Sequence, residues 1–170
     1  MELWFRDAAK LNPTSLFWLG QEGYSRAGNQ TGHIQDNDPT TFRVTWNEKQ
    51  SPEDFFSVTL AGPVPVARVV YRHGRTFHDG GWFDVARGGK PKIEGLRKAG
   101  GPWELLGELT NYPDTTAADP KNLRGGEAFE LRLPSAVALA GIRVRGVGAS
   151  GDNPQQNFTS CAELEAYGAP

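Results

Sequence analysis

The chain has 170 residues with a formal net charge of −2, 38% hydrophobic and 11% aromatic residues, and a single cysteine. That length fits one domain with its own core. The charge balance excludes a global field for nucleic acid or acidic membrane, and lone Cys161 excludes an intramolecular disulfide or a cysteine-rich zinc site. No run of about 18 apolar residues is present, so no transmembrane helix or membrane insertion is expected. The 21 Gly and 12 Pro are scattered without a period, as many tight turns require, and favour β structure.

In chain order, residues 3–19 are aromatic-rich and compatible with a strand plus a short helix. From Asp54 onward short apolar runs alternate with turn signals. Phe55–Leu60 carries Phe56, Val58 and Leu60 at period two and closes at Gly62-Pro63. Val66–Tyr71 is denser, suited to a strand buried on both faces, and a polar loop from His73 to Gly81 follows. Further strands are predicted at Trp82–Val85, Lys92–Leu96, Trp103–Leu109, Ala128–Leu133, Gly141–Val147 and Phe158–Ala166. Nothing after residue 50 has helical periodicity. About eight short strands with regular turns predict an all-β sandwich or barrel. With no repeat and no linker, residues 1–170 read as one unit.

Three separated segments carry a family likeness. His33-Ile34-Gln35-Asp36-Asn37-Asp38-Pro39-Thr40-Thr41-Phe42 resembles an Ala-x-Asp-Gly-Asp-x-x-Thr-x-Trp loop. Asp54 to Arg72, "DFFSVTLAGPVPVARVVYR", is similar to a D-aromatic-x-x-Val-x-Leu-Gly strand pair. Cys161 to Gly168 is similar to a closing Ala-Glu-Leu-Glu-x-Tyr-Gly strand, and Pro91–Leu109 to the hairpin between them. In that order and spacing they resemble the discoidin, or factor V/VIII C-type, superfamily, and within it the family 32 carbohydrate-binding modules. The likeness spans residues 24–168; the first twenty match nothing known. Asn37 stands where Gly is usual, which Asn can serve because it tolerates the left-handed region. Arg43 stands near an expected Trp.

The resemblance implies a galactose-binding-like (discoidin) jelly-roll β-sandwich. It also implies a structural Ca2+ site between the early loop and the last strand, with Asp36, Asp38, Thr41 and Glu163 as ligands. From spacing alone, Asp-x-Asp reads first as a turn capping its own backbone, and it is the resemblance that favours the metal loop.

Sugar recognition needs a flat ring for C–H faces and pre-aimed polar groups for hydroxyls. Two loops have that chemistry, Tyr71–Trp82 and Gly151–Phe158. By resemblance Arg75, with His73 second, grips hydroxyls, while Asn157 and Phe158 supply an amide and a ring. Trp46 is a candidate platform and His78 a further polar contact. The competing readings are core packing for Phe158, end-capping for Trp46, and loop hydrogen bonding for His73 and His78.

The expected function is a non-catalytic module that holds an attached carbohydrate-active enzyme on an oligo- or polysaccharide, outside the cytoplasm. A protein-recognition domain of the same fold is the alternative, and a jelly-roll lyase using Arg, His and Tyr a more remote one. No Gly-x-Ser-x-Gly elbow is present, and Cys161 in a strand is a poor nucleophile. Asn29-Gln30-Thr31 and Asn157-Phe158-Thr159 are glycosylation sequons.

Overall fold

The computed structural model describes residues 15–18, 20–26, 28 and 32–169. Its strands are β1 (Gln21–Tyr24), β2 (Arg43–Val44), β3 (Asp54–His73), β4 (Lys92–Leu96), β5 (Trp103–Glu108), β6 (Ala128–Gly146) and β7 (Ser160–Tyr167). One short helix, α1 (Val85–Gly88), lies between β3 and β4.

The named strands pair antiparallel throughout, and two long ones organise the pairing. β3 pairs with β6 from Asp54↔Gly146 to Arg72↔Ala128, with register shifts between Thr59 and Val64 and between Val66 and Arg68. At those shifts both strands leave one layer and enter the other. The first layer holds β1, the start of β3, the end of β6, β4 and β5. The second holds β2, β7, the end of β3 and the start of β6.

Alternation decides which side chains face inward. Phe56, Val58, Ile93, Ile142 and Val144 from the first layer share one core with Val69, Tyr71, Phe129, Leu164 and Ala166 from the second. Tyr71, Phe83, Tyr112 and Phe129 pack as a connected ring cluster, with centroids 4.9–6.4 Å apart. Each such buried side chain contributes roughly 1.5–3 kcal/mol relative to exposure. This is the expected β-sandwich.

Three expectations are corrected. The Gly62-Pro63 signal does not end a strand: β3 runs through it, because a register shift there leaves the ladder broken where Pro lacks a donor. The same holds for the two runs at 128–133 and 141–147, which are one strand. Trp82–Val85 is not a strand. Trp82 and Phe83 are buried, but Asp84 caps α1 by accepting from Arg87 N–H at 3.1 Å, and that cap turns the chain. The predicted segment 3–19 lies mostly outside the described residues; Ser15 bridges to Tyr167. Among the described residues no helix is long and apolar enough to cross a membrane.

At one end of the sandwich, Asp54 opens β3 fully buried and is gripped by Arg26. Nε donates to Oδ1 at 2.9 Å and Nη2 to Oδ2 at 2.6 Å, while Ser25 Oγ donates to Oδ1 at 2.7 Å. Removing one partner of a buried pair leaves the other charge uncompensated. Arg26→Ala or Asp54→Ala is therefore expected to cost about 3–5 kcal/mol, read as a lowered urea midpoint with an unchanged denaturant slope.

Candidate functional site

The same end carries three loops: residues 45–53 after β2, 74–81 after β3, and 147–159 before β7. Each is tied to another by main-chain bonds. Gly81 N–H donates to Phe158 O at 3.1 Å, Asp152 N–H to His78 O at 2.9 Å, and Asn157 N–H to Lys49 O at 3.4 Å. Gln156 Nε2 donates to Asp79 O at 2.5 Å, and Gln50 Nε2 to Pro154 O at 2.6 Å. Arg26 adds a further tie, donating to Asn47 Oδ1, Lys49 O and Asn157 O.

The turn at Gly80-Gly81 needs both glycines. Their φ values are +138° and +108°, and a Cβ at Gly81 would sit 2.3 Å from Arg75 O. That close approach folds the 74–81 loop back over β7. Ser160 Oγ accepts from Arg75 N–H at 2.8 Å and lies 2.6 Å from Gly81 O, fixing both arms of the turn.

On this base sits a small aromatic cluster separate from the main core. Phe42, Val44 and Phe158 are buried, with Trp46 and Phe77 packed against them. Phe77 meets Phe42 at 5.8 Å and Phe158 at 5.7 Å between centroids. Trp46 and Phe77 are half-buried, so each shows part of its ring to solvent. The exposed Arg75 holds its guanidinium 5.2 Å from the Phe77 centroid, a cation–π contact that limits its conformations. His78 Nδ1 lies 2.9 Å from Asp152 Oδ2, both side chains being largely exposed. That hydrogen bond and the Asp152 charge raise the His78 pKa.

Of the ligand residues expected from sequence, Trp46, Arg75 and His78 lie on this exposed end. Three others lie beneath it, which revises their expected role. His73 has no exposed surface and pairs Nε2 with Thr76 Oγ1 at 2.9 Å. Asn157 spends its amide on the 45–53 and 147–149 segments: Oδ1 accepts from Ser51 N–H, and Nδ2 donates to Ser51 O and Gly148 O. Phe158 is 3% exposed and floors the ring cluster. Burial also removes Asn157 from use as a glycosylation acceptor, and Asn29 lies outside the described residues. Phe77 and Asp152 were missed; an aromatic between Arg75 and His78 in a polar loop was the available signal for the first.

The calcium expectation falls on the loop before β2 and the middle of β7. Asp36 Oδ2 accepts from Thr41 Oγ1 at 2.6 Å and His33 N–H at 3.1 Å, and its Oδ1 from Asp38 N–H at 3.0 Å. Asn37, at φ +53°, takes the left-handed conformation and donates its N–H to Glu163 Oε2 at 3.1 Å. Glu163 Oε1 is buried with no partner. Burial and the facing Asp36 carboxylate push the Glu163 pKa up to about 10. Asp38 turns its carboxylate to Thr40 N–H and Oγ1 instead. Asp36, Thr41 and Glu163 thus come together, while Asp38 can offer its carbonyl, which already accepts from Thr41. Among the described residues no three His, Cys, Asp or Glu side chains converge.

Nucleophilic chemistry has no place at Cys161. The thiol is fully buried in β7, and burial raises its pKa well above the ordinary value.

Solved structures share this architecture. The family 32 carbohydrate-binding module of Clostridium perfringens NanJ, solved with galactose, superposes with a TM-score of 0.63 at 18% identity, covering 91% of this chain and 98% of that one. Module CBM32-3 of a family 31 glycoside hydrolase from Clostridium perfringens gives 0.64 at 14% identity, covering 94% and 98%. Chitosan-binding module 1 of a chitosanase/glucanase from Paenibacillus sp. IK-5 gives 0.61 at 16%, covering 91% and 98%. The chain has the discoidin-like β-sandwich fold of these modules. No protein-family model and no curated protein sequence matches it.

The histidines offer a direct check on this arrangement. Burial lowers the His73 pKa to about 4, whereas that of His78 is raised. On acidification followed by NMR, His78 is expected to protonate first and His73 only near pH 4. Because the folded pKa of His73 lies below its unfolded value, its contribution is retained above about pH 6.5 and lost as pH falls toward 4. The loss is about 1.4 kcal/mol per pH unit, absent in His73→Gln.

Proposed function

We propose that this domain is a non-catalytic carbohydrate-binding module that grips a glycan at the loop-bearing end of the sandwich. The observation that carries the reading is the exposed face built from Trp46, Phe77, Arg75 and the His78–Asp152 pair. Partly exposed rings suit the C–H faces of a pyranose, and the guanidinium, imidazole and carboxylate suit its hydroxyls. The supporting side chains below are buried and hydrogen-bonded, so the polar groups are held before the ligand arrives and less ordering is lost on binding.

Two neighbours of the same fold are named with galactose or chitosan, and two come from a chitosanase/glucanase and a family 31 glycoside hydrolase. That context supports a role in holding a linked carbohydrate-active enzyme on its polysaccharide, in an extracellular or periplasmic setting. Tethering works through effective concentration, so weak binding suffices.

The test is a glycan array followed by calorimetry on the hit. Trp46→Ala and Arg75→Ala are each expected to lower affinity at least about tenfold, or ~1.4 kcal/mol, with unchanged circular dichroism. Silence across a broad array from the folded protein overturns the reading.

The chemistry of the Asp36–Glu163 pair suits a structural calcium ion. Two facing carboxyl groups, one with an orphaned buried oxygen, form a set that a divalent cation would neutralise, and oxygen donors suit calcium. Asp36, Thr41, Glu163 and the Asp38 carbonyl would hold it, stapling the 32–41 loop to β7. Without metal, the raised Glu163 pKa means this group favours folding below about pH 4.5 and increasingly opposes it as pH rises toward 10. Calcium is expected to raise the melting temperature by several degrees at pH 8. Glu163→Gln is expected to stabilise the metal-free protein at that pH and to abolish the calcium response.

A further inference from the structure

At the other end of the second layer, the register shift between Val66 and Arg68 sets four β6 residues, Leu133 to Ala136, opposite the single Ala67. The bulge pushes β6 outward and walls a groove of about 840 Å3, closed on its other side by Arg68, Tyr167 and Gly168. Bulges re-aim side chains and leave main-chain groups unpaired. The volume is within the range of small-molecule sites.

Two arginines line this groove. Arg68 stacks its guanidinium on the Tyr167 ring, 4.2 Å from the centroid. Its Nη1 donates to Glu130 Oε2 at 3.1 Å, and Arg132 Nε donates to Glu130 Oε1 at the same distance. One carboxylate thus serves two guanidinium groups that each carry five N–H donors. The neighbouring Glu165 pairs with Arg72 at 3.2 Å, so among the described residues the excess at the groove is one positive charge. Arg132 is 72% exposed, and such a surface pair with Glu130 is cheap to rearrange. Leu133 and Pro134 add apolar surface beside the charge.

We infer that this groove is a second ligand site, taking a carboxylate-bearing sugar of uronic acid type. The carboxylate pairs with Arg132 and Arg68, in the fork geometry that suits planar oxyanions, and the ring lies on Leu133 and Pro134. A neutral hexose leaves the excess charge unanswered. The choice of sugar over other carboxylates rests on the glycan-binding reading above. The site lies at the Tyr167 end of β7, about 24 Å from the loop face at the Ser160 end for eight extended residues.

The deciding experiment is an NMR titration of the isotope-labelled chain with trigalacturonate and with its methyl ester. The acid is expected to shift the amides of Leu133, Ser135, Ala136 and Gly168, and the ester is not. Arg132→Ala should weaken this response about tenfold, as should high salt, whereas Arg75→Ala should leave it unchanged. No shift at these amides, an equal response to the ester, or a response retained in Arg132→Ala overturns the proposal. A stronger response to an acidic peptide of equal charge overturns the assignment to sugar. Binding of glycans at the loop face alone sinks the groove and spares the module reading; shifts confined to the groove do the reverse.

Discussion

The pairing of β3 with β6 is the constraint on which the rest of the molecule depends. Each strand belongs to both layers, so the layers cannot slide or separate without breaking a ladder that runs from Asp54↔Gly146 to Arg72↔Ala128. Every other strand adds to one half of this ladder: β1, β4 and β5 to one layer, β2 and β7 to the other. A one-residue slip would turn Phe56, Val58 and Tyr71 out of the core together, so burial and register enforce one another. The cost of crossing between layers is the two register shifts. One lets Pro63 sit in a strand, and the other throws out Leu133 to Ala136.

The loop end solves a different problem. A face that recognises hydroxyl groups, the role proposed for this end, must be polar yet fixed, and loops alone are neither short nor rigid enough here. The chain answers with buried polar side chains beneath the surface: Arg26 on Asp54, Asn157 on Ser51 and Gly148, Ser160 on Arg75 and Gly81. These groups are costly to bury without partners, and each has found one in a different loop. The result transfers rigidity from the sandwich to the segments that carry Trp46, Phe77 and Arg75.

This division explains what was legible in the sequence. Alternation located the core faces of β3 and β6, because period two follows directly from the pleat, whereas β4 and β7, buried along nearly their whole length, were legible only as apolar runs. It missed β1 and β2, which are four and two residues long and too short to show a period. It over-read Trp82–Val85, where two buried aromatics are held by single contacts rather than a ladder: Trp82 Nε1 donates to Thr116 O, and Phe83 N–H to the Tyr112 hydroxyl. At the loop end, residue type identified the neighbourhood but not the layer within it. His73, Asn157 and Phe158 have the chemistry of ligand contacts, and only the tertiary path of the chain shows that they face inward. Conversely, Arg26 looks like an ordinary surface charge until Asp54 and Asn157 are brought to it from 28 and 131 residues away.

The placement of charge follows the same logic at both ends of the sandwich. Where a polar group holds the backbone, it is buried and hydrogen-bonded, as Asp54 and Asn157 are. Where a ligand contact is proposed, the group is exposed and only partly engaged, as with Arg75 on Phe77 and Arg132 on Glu130. An exposed, partly satisfied donor costs little in the free state because water completes its hydrogen bonds, and for that reason it gains little when a sugar hydroxyl replaces the water. Such faces therefore give single-site affinities in the micromolar to millimolar range, on the order of 4–8 kcal/mol. Strong retention on a polymer must then come from number and not from contact quality, since linked weak sites raise one another's effective concentration. With the two proposed sites at opposite ends of β7, a rigid two-layer sandwich would meet that requirement only for glycans long enough, or dense enough, to reach both.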